Sequence, residues 1–347
     1  MPSTTIRVGV VGAGGNTKAK HIPGLQALEN VAITGVCNRS RASSQAVASQ
    51  FDIPRVFDDW QSLATDPDID AVVIGTWPYM HHPVTLAALA AGKHVLCEAR
   101  MAMNAREARD MLQAARHRPR QVAQVVPSPF SLGVDRTIQR LIAEGYLGDL
   151  LAVDVQDRGG FVDLEAPLSW RLDIQKSGMN VMMLGIWYEA VMRWVGEATS
   201  VMAMGKTHVK QRPHPVAKRP QAILIPEHVD VIAALACGAQ AQFCSTRVAG
   251  HAGPSRACLY GSEGTLRFEG GKLYGGRRDD AQLAEIEIPD SERGKWRVEE
   301  EFINAIRGLE PVRLTTFEDG VRYMEFTEAV FRSRQTGRAV PLPLTQP

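Results

Sequence analysis

At 347 residues the chain is longer than one hydrophobic core usually supports, so two domains of ordinary size are expected. Hydrophobic residues make up 45% and charged residues 22%, a globular balance that excludes a disordered chain. The 39 Lys and Arg nearly cancel the 38 Asp and Glu, and a net charge of +1 gives no general attraction to nucleic acid or to a membrane surface. No run approaches the ~18 apolar residues of a membrane helix, and the start, MPSTTIRVGVVGAGG, lacks the basic and apolar regions of a signal peptide. Cys37, Cys97, Cys237, Cys244 and Cys258 show neither CxxC nor zinc spacing, so no metal is expected and the thiols read as reduced, in a cytoplasmic protein.

In chain order, Ile6–Val11 reads as a strand, 17–28 as a helix, Val31–Cys37 as a second strand and Arg41–Phe51 as a second helix. Strands follow at 71–75 and 94–98, with helices over 83–91 and 105–115. Continuous Val/Ile/Leu strands alternating with helices predict right-handed βαβ units and a parallel sheet covered on both faces. Beyond about residue 120 the rhythm changes. A helix over 133–144, a strand at 150–156 and an apolar helix over 178–195 precede strands at 199–206, 229–236, 240–247, 255–261 and 264–268. Such clustering predicts an antiparallel sheet. Residues 213–226 read as an exposed loop, and helices over 296–307 and 317–335 lead to a Pro-rich tail. The predicted fold is an N-terminal α/β Rossmann domain with a doubly wound parallel sheet, residues 1–122, and a C-terminal α+β domain with an open, mostly antiparallel sheet, residues 123–347.

Directly after the first strand stands Gly12-Ala13-Gly14-Gly15-Asn16-Thr17, opening a helix. Gly12 suits a tight turn, and Gly14 lets backbone approach a pyrophosphate at the helix N-terminus. Gly15 and Asn16 complete the loop, while Thr17 replaces the third glycine of the dinucleotide fingerprint. At the end of the second strand, where NAD-binding domains carry an acid for the ribose 2′-hydroxyl, the chain has Asn38-Arg39-Ser40. Asn38 removes the carboxylate that would repel a 2′-phosphate, and Arg39 and Ser40 suit one, so NADP is favoured, with NAD possible.

The chain resembles the Gfo/Idh/MocA oxidoreductases in VGVVGAGGNTKAKHIPGL, in AVVIGTWPYMHHPVTLAALAAGKHVLCE, in the Trp170-Arg171 pair, and in EEFINAIRGLEP and EAVFRSRQTGRAVPLP. The resemblance implies that Thr76, Trp77, Pro78 and His81 line the cofactor and that Glu98 lies near the nicotinamide ribose. It also implies a small carbohydrate-like substrate near Trp170 and Arg171, and a homodimer or homotetramer built on the open sheet. The chain departs from the family where acid–base chemistry is expected. Ala99 replaces the lysine of Glu-Lys-Pro, and Met183, Trp187 and Ala190 replace Asp, His and Asp of the second signature. On a helix, Asn180, Met183, Trp187 and Ala190 share one face, a stacking surface with a single amide, so Asn180 and Trp187 join the substrate candidates.

Hydride transfer needs a partner for the hydroxyl proton. Arg100 suits orienting an oxygen but is too basic to take a proton, His82 is of the residue type that most often serves in proton transfer, and Tyr188 neighbours the expected helix face. These three are the catalytic candidates. The resulting expectation is an NAD(P)-dependent oxidoreductase acting on a sugar-like or polyol alcohol or carbonyl with a non-standard proton relay. The alternatives are a cofactor-binding sensor without turnover and a lyase or epimerase that uses a retained cofactor without net redox change.

Overall fold

The computed structural model describes residues 5–345; the extreme N-terminal residues 1–4, read above for a signal peptide, and the last two residues of the tail lie outside them. The chain divides into two compact units, Met1–Pro127 with Arg297–Val321, and Ser128–Trp296 with Arg322–Pro347.

The first unit contains β1 (Ile6–Val11), β2 (Val31–Cys37), β3 (Arg55–Val56), β4 (Ala71–Ile74), β5 (His94–Cys97) and β6 (Ala123–Val125). All pairs are parallel, in the order β3-β2-β1-β4-β5-β6 of a doubly wound sheet. Every residue of β4 is buried, as are all but one of β1, which explains their unbroken apolar runs. Between the strands lie α1 (Ile22–Gln26), α2 (Arg41–Phe51), α3 (Trp60–Thr65), α4 (Pro78–Ala90) and α5 (Ala105–Arg116). Side chains of Ser40, Asp59 and Asn104 accept N–H groups at the starts of α2, α3 and α5, satisfying donors that a helix leaves open.

Two helices differ from expectation. The first opens as a π-helical turn, Thr17–His21, and α1 stops at Gln26. α4 starts five residues before the expected Pro83, because Pro78 occupies its first turn, where a missing N–H costs nothing; Pro83 is an interior proline.

The second unit begins with α6 (Asp135–Ala143), β7 (Leu150–Arg158), α7 (Ile174–Ser177) and α8 (Leu184–Val195). It continues with β8 (Ala198–Lys206), β9 (Gln211–Pro213), β10 (Pro220–Ala222), β11 (His228–Leu235), β12 (Gln240–Thr246), β13 (Arg256–Gly261), β14 (Gly264–Glu269), β15 (Lys272–Arg277) and β16 (Ala284–Glu285). The chain returns to the first unit as α9 (Val298–Ile306), crosses back along α10 (Phe317–Thr336) and ends the sheet with β17 (Val340–Pro341). The nine-stranded sheet runs β16-β15-β14-β13-β7-β12-β11-β8-β17, and only the β7–β12 pair is parallel. β11 alternates strictly between buried and outward positions, the mark of a sheet covered on one face. Met202, Met204 and Ile232 stand on the outward face, each more than half exposed.

The apolar helix of the second unit is shorter than expected. Gly178 (φ +65°) stops α7 and Met182 (φ +43°) interrupts the backbone again, so α8 starts at Leu184. Asn180 and Met183 therefore precede the helix and form no stripe with Trp187 and Ala190. The segment 213–226 is also more ordered than a loop, since β10 pairs with β9 and Ile223 and Ile225 are buried. Among the described residues, no helix is long and apolar enough to cross a membrane.

Candidate active site

At the carboxyl ends of β1, β2 and β4, the first unit holds a cleft of about 310 Å³, walled by the turns after those strands. Gly12, Gly14, Asn38, Arg39, Ser40, Thr76 and Trp77, all expected to hold the cofactor, line it together with Ser43 and Tyr79. Gly12 has φ +85°, and a Cβ there would come within 2.5 Å of Thr76 Cγ2. The turn is tied to β2 twice: Gly12 N–H donates to Cys37 O (2.8 Å) and Ala13 N–H to Asn38 Oδ1 (2.7 Å). Asn38 also donates its amide to Ser43 O (3.1 Å), so its side chain holds the loop as well as lining the cleft. Arg39 is exposed, with its guanidinium carbon 5.7 Å from the centre of the Trp77 ring, and no carboxylate lines the cleft.

The missing third glycine is compensated across the sheet. Thr17 is buried, and its hydroxyl donates to Gly12 O (3.3 Å). The room for it is made at Gly75, where a Cβ would collide with Thr17 Oγ1 and Gly12 O. The glycine is thus displaced from the helix to the facing turn.

The other expected cofactor residues lie off this cleft. Gly15 meets nothing with a hypothetical Cβ, and Pro78 starts α4. His81, expected to face the cofactor, is fully buried and set between Arg100 O (2.9 Å) and Thr76 O (3.0 Å). Burial holds its pKa below the usual imidazole value, and a neutral ring donates to one carbonyl at a time. It braces the Thr76 turn against the segment after β5.

That segment carries an arrangement the sequence reading missed. Glu98, next after β5, accepts from Asn16 Nδ2 (2.5 Å) and lies 3.0 Å from His21 Nε2; the other His21 nitrogen lies 2.5 Å from Glu299 Oε1 at the start of α9. His21 is fully buried. Burial alone would lower its pKa, but the bonds to Glu299 and Glu98 push it up to about 9, so the ring is an imidazolium between two carboxylates at neutral pH. Burial likewise opposes the charge of Glu98, and His21 with Asn16 overcomes this and holds the carboxyl below its usual range. The available signals were a histidine one turn past the glycine loop and the glutamates 299–301 within an otherwise amphipathic helix.

The catalytic candidates are not brought together. His82 points at α5, 3.5 Å from Asp110. Tyr188 is a core residue: its hydroxyl accepts from Ala198 N–H (2.8 Å), its ring stacks on Phe326 at 3.7 Å, and burial pushes its pKa upward. Arg100 is 3% exposed, so its guanidinium is not presented to the cleft. Trp187, expected to stack on substrate, is buried between Phe130 (5.0 Å) and Phe268 (6.2 Å), and Asn180 is buried with its amide donated to Ser177 O (2.6 Å).

The second unit has its own pocket, ≈ 360 Å³, between the 161–172 loop and the start of α8. Arg171 and Met183 line it; Trp170 supports Arg171, whose guanidinium carbon lies 4.4 Å from the indole centre.

Comparison with known proteins agrees with this architecture. Residues 6–125 match the model of an oxidoreductase family with an NAD-binding Rossmann fold, and residues 136–267 match the GFO/IDH/MocA C-terminal domain. Trans-1,2-dihydrobenzene-1,2-diol dehydrogenase of Bos taurus is 30% identical over 155 residues, 45% of each chain, so the match spans about half the length of that relative. An uncharacterized oxidoreductase of Synechocystis is 27% identical over 76% of this chain and 71% of its own. Among solved structures, an oxidoreductase domain protein from Kribbella flavida superposes with a TM-score of 0.87 at 22% identity, covering 98% of this chain and 100% of that one. Levoglucosan dehydrogenase in complex with NADH and L-sorbose gives 0.86 at 22% identity, covering 97% and 99%. These two likenesses show the fold. By the two family matches, which together cover most of its length, the chain belongs to the Gfo/Idh/MocA oxidoreductase family.

Proposed function

We propose that the protein is an NAD(P)-dependent oxidoreductase, favouring NADP(H), that interconverts an alcohol and a carbonyl on a sugar-like or polyol substrate. The observation that carries this reading is the cleft of the first unit, which joins a glycine turn to Arg39 and Ser40 and has no lining carboxylate to repel a 2′-phosphate. Gly12 and Gly14 bring backbone to the diphosphate, and Thr76 and Trp77 form the facing wall. The bound nicotinamide supplies or takes the hydride. Glu98, kept ionised by His21 and Asn16, accepts a hydrogen bond from the ribose, and the buried imidazolium keeps that carboxylate fixed in charge and orientation. Arg171 of the second-unit pocket, supported by the Trp170 ring, contacts the substrate. With Ala99 at the lysine position, the hydroxyl proton follows a route without that lysine.

The relatives named as dehydrogenases support the reaction class, and levoglucosan dehydrogenase, solved with L-sorbose, supports a carbohydrate-like substrate. The outward apolar residues Met202, Met204 and Ile232 support a homodimer or homotetramer through the open sheet. Free cysteines throughout support a cytoplasmic location.

The test is absorbance of reduced nicotinamide on mixing the protein with NADP+ or NAD+ and a panel of sugars, inositols and other polyols. Reduction is expected, faster with NADP+. Failure of folded protein to bind either NADPH or NADH at millimolar concentration overturns the reading. A second reading, a cofactor-binding regulatory protein, is favoured by the burial of Trp187 and the apolar Ala99 and Met183 at acid–base positions; it gives tight binding with no reduction across the panel.

A further inference from the structure

The second-unit pocket is mostly apolar, with Phe161, Leu172, Met182 and Met183 in its wall, yet three arginines reach it. Two of them already serve the fold. Arg212, 5% exposed, donates to the carbonyls of Asp163 (2.8 Å) and Ala166 (3.0 Å) and faces Glu227 at 3.4 Å. Arg247 pairs with Asp157 at 3.1 Å and donates to Thr246 O.

The pocket's own carboxylates are committed as well. Asp163 caps the N–H groups of Glu165 and Ala166, and Glu227 accepts from His208 N–H (2.7 Å) besides facing Arg212. Arg171 is different. Among the described residues it makes no ion pair, and its contact is the indole face of Trp170. A guanidinium laid on an indole keeps its N–H fork free at the edge, the geometry that receives two oxygens of one anion. Although the side chain reaches solvent, enclosure by the pocket, and then the like charge of Arg247, disfavour its cation and hold its pKa below the usual value. An oxyanion seated there relieves both effects.

We propose that this pocket takes a polyhydroxylated substrate bearing an anionic substituent, a carboxylate or a phosphate, and that Arg171 is the residue that reads it. The inference rests on the reading of the chain as a sugar-type oxidoreductase and narrows its substrate class from neutral polyols to acidic ones. The volume, ≈ 360 Å³, suits a single sugar-sized acid and not an oligosaccharide.

The experiment is calorimetric titration of the full chain, with and without NADPH, using gluconate and glucuronate for the carboxylate, glucose 6-phosphate for the phosphate, and glucose and myo-inositol as neutral counterparts. At least one acid is expected to bind tenfold or more tightly than its neutral counterpart, and to weaken with added salt. Arg171→Gln abolishes that preference, its loss of acid affinity exceeding any loss for the neutral ligands tenfold or more, and Arg171→Lys keeps part of it; unchanged circular dichroism establishes that the variants fold. Equal binding of acids and neutral polyols, equal losses for both in Arg171→Gln, or no binding of any acid overturns the inference. Reduction of NADP+ by a neutral polyol without acid preference sinks this inference and leaves the oxidoreductase reading standing. Acid binding governed by Arg171 in a protein that binds no nicotinamide cofactor does the reverse.

Discussion

His21 and Glu299, 278 residues apart in sequence, meet at 2.5 Å inside the first unit, and Glu98 holds the other nitrogen of the same ring. Burial works against the imidazolium, but the two carboxylates carry its pKa from the ordinary 6.5 to about 9. A folded-state pKa above the unfolded one stabilises the fold fully below about pH 6.5, and that contribution is lost as pH rises through about 9. The shift corresponds to about 3 kcal/mol. Urea unfolding of the wild type is therefore expected to lose stability on this scale between pH 6.5 and 9.5 or so. His21→Gln is expected to be less stable at pH 6.5 and to lack this slope. Superimposable pH profiles for the two proteins would show that the ring carries no buried charge.

Gly12 and Gly15 stand three residues apart in one loop with opposite constraints. Gly12 is left-handed and pressed against Thr76, whereas a Cβ at Gly15 meets nothing. Gly12→Ala is expected to cost about 1–3 kcal/mol of stability and at least roughly tenfold in NADPH affinity. Gly15→Ala is expected to leave stability within about 1 kcal/mol of the wild type, on either side. Chemical denaturation paired with NADPH titration checks both, and equal effects of the two substitutions would contradict the constraint at Gly12.

The parallel sheet was legible because buried strands leave continuous apolar runs and the glycine turn marks where one meets its helix. β1, β2 and α2 have the bounds expected from the sequence. What was lost depended on backbone conformation or on distant residues. Positive φ at Gly178 and Met182 divides what reads as one apolar helix, and this removes the face on which Asn180 joined Trp187. The room for Thr17 is made at Gly75, 58 positions away by the numbering, and no local fingerprint records such an exchange. His21 is silent for the same reason: its two carboxylates come from the residue after β5 and from α9, and only the tertiary fold makes them neighbours.

Arg39 sets the expected cofactor choice. It stands exposed at the cleft edge over Trp77, and no acid accompanies it in the lining. Arg39→Ala is expected to weaken NADPH at least roughly tenfold, about 1.4 kcal/mol, while NADH changes less than roughly twofold. Separate titrations with each cofactor test this. Equal losses would mean that Arg39 supports the cleft without reading a 2′-phosphate.

Trp187 and Tyr188 are adjacent on α8, and both belong to the core of the second unit. Trp187 is wedged between Phe130 and Phe268, and Tyr188 lies flat on Phe326 with its hydroxyl on Ala198 N–H. Trp187→Ala removes a buried aromatic and is expected to cost about 3–5 kcal/mol. Tyr188→Phe keeps the ring and leaves a buried N–H without its acceptor, a loss of about 1–3 kcal/mol. Both residues are buried and neither lines the first-unit cleft or the second-unit pocket, so Tyr188→Phe is expected to preserve the pH profile of turnover at temperatures where it remains folded. A displaced limb of that profile, with stability unchanged, would return Tyr188 to the proton route and contradict its placement in the core.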